Sequence, residues 1–242
     1  MSLSHLIAIA VILAGIIVSI QKKKLTVIAS VTGGLIAILI LMGSGISGVL
    51  LLAAFFILGT GATAWKMNFK IQTGIAEPAR GRRNVGQVLA NGGVATILSI
   101  LMLYQPESSE LYCLMIAGSF SAATADTLSS ELGNIYGRNY YHILSFKKMQ
   151  RGANGAVSWQ GTLAGLLGST FISMLFLLLE GWSFPLFLII ILSGTIGNLA
   201  DSLLGLTLEN KGQLTNNGVN FLNTIMGAVT AWGLFVLLSF SE

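Results

Sequence analysis

Long apolar runs alternate with short polar ones from one end of the chain to the other. The runs fall at Leu3–Ile20, Leu25–Met42, Ile46–Ala64, Val85–Tyr104, Leu111–Leu128, Ala156–Leu179, Phe184–Gly205 and Val219–Phe240. Each approaches the roughly 20 residues that a helix needs to cross a hydrocarbon core about 30 Å thick. The pattern predicts an all-α integral membrane protein, a single domain of about eight transmembrane helices.

The polar punctuation assigns a side to every loop. All Lys and Arg residues fall at 22–24, 66–83, 138–151 or 211, and those segments lie on one side if the helices alternate in direction. Glu107, Glu110, Glu180 and Glu242 fall on the other. The positive-inside rule makes the basic side cytosolic. This predicts a multi-pass protein of the cell membrane with both termini outside and an active face in the cytosol. No cleavable signal peptide is expected, because Lys22-Lys23-Lys24 follows the first apolar run instead of preceding it. The inner loops 65–84 and 129–155 are long enough to hold a site, and the outer loops are too short.

Composition removes several alternatives. The 242 residues are 54% hydrophobic and 9% charged, against about 25% charged in a soluble domain, and the mean hydropathy is +0.81. Glycine occurs 29 times, which suits close approach of membrane helices. Cys113 is the single cysteine, so no disulfide within the chain and no cysteine metal cluster can form. His5 and His142 have no ligand spacing around them. The net charge of +4 is accounted for by topology, and no nucleic-acid partner is expected.

An internal repeat points to the chemistry. Ala123-Thr124-Ala125-Asp126-Thr127-Leu128 aligns with Asn198-Leu199-Ala200-Asp201-Ser202-Leu203, and more weakly with Ala62-Thr63-Ala64-Trp65. Each string ends an inward-running helix. Asparagine-led stripes head the helices that follow: Asn84, Gln87, Asn91 and Ala95, then Asn154, Ser158, Gly161 and Gly165, then Asn216, Asn220, Asn223 and Gly227. The chain thus reads as two leading helices (3–42) plus three helix hairpins (46–104, 111–179, 184–240), all inserted in the same sense.

Asp126 and Asp201 sit on small-residue stripes, which mark helix contact faces, so both carboxylates are expected to point into the bundle. An ionisable group there is a functional hypothesis by default, against the alternative of a packing hydrogen bond. Asp126, Asp201 and the nearby Glu131 are hard oxygen ligands suited to Mg²⁺. The basic loops and the asparagine-headed helix N-termini suit phosphate oxygens. Gly59-Thr60-Gly61 and Gly43-Ser44-Gly45 read as packing or turn sequences, since no Walker-type lysine follows. The 66–79 stretch carries no expected role.

Several ordered motifs resemble a known membrane family, the one that includes plant phytyl-phosphate kinase. They are Arg83-Asn84-Val85-Gly86-Gln87-Val88-Leu89-Ala90-Asn91-Gly92, Ala125-Asp126-Thr127-Leu128-Ser129-Ser130-Glu131-Leu132-Gly133, Gly152-Ala153-Asn154-Gly155-Ala156-Val157-Ser158, and Gly197 to Gly205 followed by Asn216-Asn217-Gly218-Val219-Asn220-Phe221. The resemblance covers roughly residues 30 to 240. It implies phosphorylation of an isoprenyl monophosphate to the diphosphate, from CTP or another nucleoside triphosphate. With the residue reading, this gives a Mg²⁺-dependent kinase of a polyprenyl phosphate. Asp126 and Asp201 would be catalytic and, with Glu131, metal-binding. Arg83, Asn84, Gln87, Asn91, Lys148, Arg151, Asn154, Ser158, Asn217 and Asn220 would hold the phosphates. The competing readings are a cytidylyltransferase forming a CDP-lipid and a transporter of anionic lipid or ions.

Overall fold

The computed structural model describes residues 3–239. Phe240 and Glu242, to which the sequence reading extends the last helix and the outer side, lie outside the described residues. The first helix, α1 (Leu3–Gln21), is followed by a basic turn and by α2 (Val27–Ala64).

Helix α2 is not one rod. Gly45 within it has φ 68° and ψ −155°, a combination essentially confined to glycine. A straight helix of 38 residues would be about 57 Å long. Instead Leu25 is bridged to Arg83, Gly43 packs against the Ser99 backbone, and Gly59 returns to the Arg83 guanidinium. The Ser44 and Ser99 hydroxyls meet at 3.3 Å beside the reversal. The segments 27–44 and 46–64 are therefore antiparallel arms, as the separate apolar runs predict, and Gly43-Ser44-Gly45 is their turn.

Five further long helices complete the bundle: α4 (Val85–Tyr104), α5 (Ser109–Tyr136), α6 (Trp159–Glu180), α7 (Phe184–Leu204) and α8 (Asn216–Ser239). A short α3 (Met67–Gln72) precedes α4. Six helices are long and apolar enough to cross a membrane when α2 counts once. The second arm of α2 and the apolar α1 bring the described crossings to eight. Large apolar side chains such as Ile28, Ile57, Ile97, Leu167, Leu178 and Leu237 stand exposed on the outer faces, where lipid is their solvent.

Helix α5 is the central element, packed against α2, α4, α6, α7 and α8. The small-residue stripes make these contacts possible. Gly118 lies on the Gly227 carbonyl, Gly133 on Gly161, and Gly197 on Ala122 and Asn223. A methyl at any of these would push two helices apart, the expectation for stripes that mark contact faces.

Three boundaries differ from the sequence reading in ways that matter. Helix α5 continues two turns past Leu128 to Tyr136, because nothing in 129–136 breaks a helix. Its polar end projects beyond the apolar run and takes Ser129, Ser130, Glu131 and Asn134 out of the expected loop. Asn154 is not on a helix face. It lies in a turn ahead of Ser158, the residue that caps α6. At its inner end α7 widens into a π-helical turn, Gly205–Glu209, a feature common at functional sites.

The 66–79 segment, to which the sequence reading gives no role, closes the inner end of the bundle. Lys70 is 1% exposed. Its Nζ donates to the Ala62 and Thr63 carbonyls at 2.9 and 3.1 Å and pairs with Glu131 Oε2. A cation on the last carbonyls of α2 meets the negative end of the helix dipole.

Candidate functional site

The inner halves of α4, α5, α7 and α8, with the turn before α6, enclose a polar cavity of about 390 Å³. Of the expected site residues, Arg83, Gln87, Asn91, Asp126, Asn154, Ser158, Asp201 and Asn220 line it. Asp126 on α5 and Asp201 on α7 face each other closely enough for a hydrogen bond between the carboxyl groups. Asp201 Oδ1 is buried with no hydrogen-bond partner. Two carboxylates in such proximity repel unless a cation or a proton lies between them.

Helix N-termini supply the opposite polarity. Gln87 is in the first turn of α4, Ser158 caps α6, and Asn216 begins α8, and all three line the cavity. Asn84 caps α4 in a reciprocal box, its Oδ1 accepting from Gln87 N at 3.1 Å while Asn84 N donates to Gln87 Oε1 at 3.0 Å. Ser158 Oγ accepts from Gly161 N at 3.2 Å. Three positive dipole ends converging on one cavity make it receptive to anions.

Arg83 is the cavity's cation. It is 7% exposed, its guanidinium lies 5.1 Å from the Phe55 ring centroid, and it forms no ion pair among the described residues. Burial pushes its pKa down, while Glu77, Glu131 and Asp126 hold it up. An arginine kept charged by carboxylates that it does not touch retains its donors for a ligand. Asn91, also 7% exposed, donates from Nδ2 to the Gln87 carbonyl at 2.9 Å, which leaves its Oδ1 for the cavity.

Other expected residues are placed elsewhere. Glu131 is not in the cavity wall; it turns away toward Lys70, with Oε1 buried and unpartnered. The metal-ligand role expected for Glu131 therefore gives way to an ion pair, because a lysine from α3 reaches it first. Lys148 lies opposite Tyr141 in a small hairpin and does not line the cavity. Arg151 sits behind the wall, 5.8 Å from the ring centroids of Tyr140 and Phe69, with Nη2 donating to the Gly137 carbonyl at 3.4 Å. Asn84 and Asn217 meet at Gly86, beside the wall. Asn154 lines the cavity and donates to Asn210 Oδ1 at 3.2 Å.

The cavity also holds residues absent from the sequence reading, chiefly Glu77, Asn198, Glu209 and the backbone of 152–157. Glu77 lines the cavity and is solvent-exposed as a residue. Partial desolvation in the cavity wall first and Glu131 second raise its pKa, against the lowering influence of Arg83 and Lys70. Its signal was present in the sequence, since it is the one acidic residue in the basic stretch 65–84. Trp65, which aligns with the two aspartates, lies outside the cavity and donates from Nε1 to the Tyr136 hydroxyl at 2.8 Å.

The donor set fits Mg²⁺, which usually takes one or two carboxylates and leaves its other positions to water and phosphates. Two facing carboxylates, one with an orphaned oxygen, beside the side-chain amides of Asn198 and Asn220 meet that description. Among the described residues no group of three or more His, Cys, Asp or Glu gathers into a closed metal cage.

An eight-crossing bundle with a polar cavity at its basic end defines a multi-pass membrane protein with a site between its helices at that end. The chain belongs to the DUF92 family of integral membrane proteins, whose model matches residues 10–228. It is 36% identical over 193 residues to the chloroplastic protein VTE6 of Arabidopsis thaliana, covering 77% of this chain and 58% of that protein. It is 33% identical to an uncharacterized membrane protein of Synechocystis, over 88% of this chain and 83% of that one. A third relative, an uncharacterized membrane protein of Methanocaldococcus jannaschii, is 36% identical over 76% of this chain and 75% of its own length. No solved structure matches.

Proposed function

We propose that the protein transfers a phosphoryl group from a nucleoside triphosphate, CTP by preference, to an isoprenyl monophosphate at the cytosolic membrane face. The observation that carries this reading is the facing pair Asp126 and Asp201 in one cavity with the buried, unpaired Arg83. The family membership and the motif resemblance to phytyl-phosphate kinase support the same reaction.

In the reaction, a non-bridging oxygen of the acceptor phosphate forms a bond to the γ-phosphorus. The bond from that phosphorus to the β-γ bridging oxygen breaks and leaves the nucleoside diphosphate. Such a transfer depends on positioning and charge neutralisation more than on covalent chemistry by the protein. The acceptor monoester has a second pKa of about 6 and is largely ionised near neutral pH, so the site needs no strong general base. Arg83, Asn91, Gln87 and the N-terminus of α6 would hold the phosphates against their mutual repulsion. Asp126 and Asp201 would hold Mg²⁺, which supplies Lewis-acid neutralisation of the phosphate oxygens.

The test is incubation of the purified protein in lipid with Mg²⁺, γ-labelled and α-labelled nucleoside triphosphates, and a panel of prenyl monophosphates. Transfer of the γ-label to give a prenyl diphosphate supports the kinase. Transfer of the α-label with release of pyrophosphate would instead identify a cytidylyltransferase. A protein that moves lipid or ions across vesicles but transfers neither label would overturn both.

A further inference from the structure

The inner cavity has an apolar neighbour. A cleft of about 440 Å³ lies between α1, both arms of α2 and the start of α4, walled by Ile12, Gly15, Ile36, Val49, Phe56 and similar residues. Arg83, Gln87 and Asn91 line this cleft as well as the polar cavity. Apart from those three, its polar lining is limited to Ser19 and Ser30. Val11 and Val18 are wall residues that are still more than half exposed, so the cleft is open along its side, where bilayer tails lie.

Its dimensions select the occupant. From Leu25, beside Arg83, to Ala37 the first arm of α2 rises about 18 Å. A zigzag covalent chain advances roughly 1.2 Å per bond, so that length accepts about fifteen bonds. The polar groups of the lining are few and the rest is apolar, an arrangement that fits one apolar chain ending in one polar head. One end is closed by a buried arginine whose guanidinium has no hydrogen-bond or ion-pair partner among the described residues, which calls for an anionic head.

We propose that this cleft seats the tail of a single-chain prenyl phosphate that enters from the bilayer, with its phosphate passed to Arg83. The proposal deepens the kinase reading and rests on it for the identity of the headgroup. It also gives a role to α1 and the first arm of α2, which lie outside the three hairpins. Helix α1 forms one wall of the cleft, and Gly15 sets the room available for the tail. A Cβ at Gly15 would meet nothing within 4 Å, whereas at Gly34 the space is already filled by Ile16. A large side chain at position 15 is therefore expected to shorten the cleft without disturbing packing.

The experiment uses the full chain in lipid nanodiscs with geranylgeranyl monophosphate carrying a diazirine at the tail end. Photolabel is expected within 11–16 and 33–37 and is expected to be competed by unlabelled ligand. Gly15→Phe should lose that label, whereas Gly15→Ala should keep it. Dimethylallyl monophosphate, whose four-carbon chain spans about 5 Å and ends before Gly15, should bind both variants equally. Thermal melting checks that each variant is folded. Label spread over the outer faces and insensitive to Gly15→Phe would overturn the proposal. So would equal, uncompeted labelling at the same residues by a diazirine phospholipid, since ordinary bilayer lipid would then hold the cleft. Phosphoryl transfer is measured separately. Correct labelling without transfer defeats the kinase reading and leaves the tail site standing, and transfer with label elsewhere does the reverse.

Discussion

Lys70 Nζ and Glu131 Oε2 form an ion pair in which neither side chain has meaningful access to water. The pair joins α3 to the projecting end of α5 and fixes the segment that carries Glu77. Removing one partner would leave an uncompensated buried charge, which typically costs 3–5 kcal/mol. Lys70→Met is expected to lower the thermal midpoint in detergent sharply. The double change Lys70→Met with Glu131→Leu should recover most of the loss. A single variant as stable as the wild type would show that Glu131 is paired or solvated in another way.

Asp126→Asn and Asp201→Asn should each abolish phosphoryl transfer while leaving the protein folded in the membrane. Each substitution keeps the shape and removes the charge that a divalent cation needs. The check is transfer measured together with size-exclusion behaviour. Near-normal turnover in a folded variant would return that aspartate to a packing role.

Arg83→Ala should lower turnover by about 10²-fold or more, equivalent to roughly 3 kcal/mol of lost phosphate stabilisation. Lys148→Ala is expected to have less effect, because Lys148 is not among the residues that line the cavity. Replacing Lys22, Lys23 and Lys24 should leave transfer unchanged where topology is preserved. If the lysine triplet matters as much as Arg83, the basic end acts only as a general surface field.

Glu77 gives a pH signature. Its folded-state pKa is raised from 4.5, so the folded protein binds more protons than the unfolded chain between 4.5 and the raised value. Stability contributed by the protonated form is full below that window and is lost as pH rises through it. Glu77→Gln should flatten this decline, by a small amount only, because the residue is solvent-exposed and its interactions are screened by water. A pH profile of melting that the substitution leaves unchanged would mean that this carboxyl titrates alike in the folded and unfolded chain.

Gly45→Ala should destabilise the protein by about 1–3 kcal/mol. The position is open, with nothing within 4 Å of an added Cβ, so the cost comes from the backbone angle alone. Gly61→Ala is the control. Its site is equally open but helical, and alanine there should gain up to about 1 kcal/mol. Equal midpoints for the two variants would mean that the arms of α2 do not reverse at Gly45.

The sequence by itself determined the helix count, the clustering of Lys and Arg at one end of the bundle, and the pairing of Asp126 with Asp201. Those features follow from properties that repeat along the chain: the length of apolar runs, the side on which charge falls, and the duplicated motif around each aspartate. Gly43-Ser44-Gly45 was legible only as a packing or turn sequence, and the backbone angles of Gly45 decide for the turn. Which polar groups meet was not legible, because that depends on how far a helix runs past its apolar part and on which side chain reaches a partner first. Helix α5 carries Glu131 beyond the apolar run, where Lys70 takes it. Glu77 enters the cavity because Lys70, its neighbour across the 66–79 segment, is pinned to the end of α2. Arg83 and Lys148 are equally basic in the sequence, yet only Arg83 is folded inward, held by backbone bonds to Lys24 and Thr26. The apolar cleft along α1 likewise arises only when four separate helical segments pack with a gap between them, which no single segment encodes.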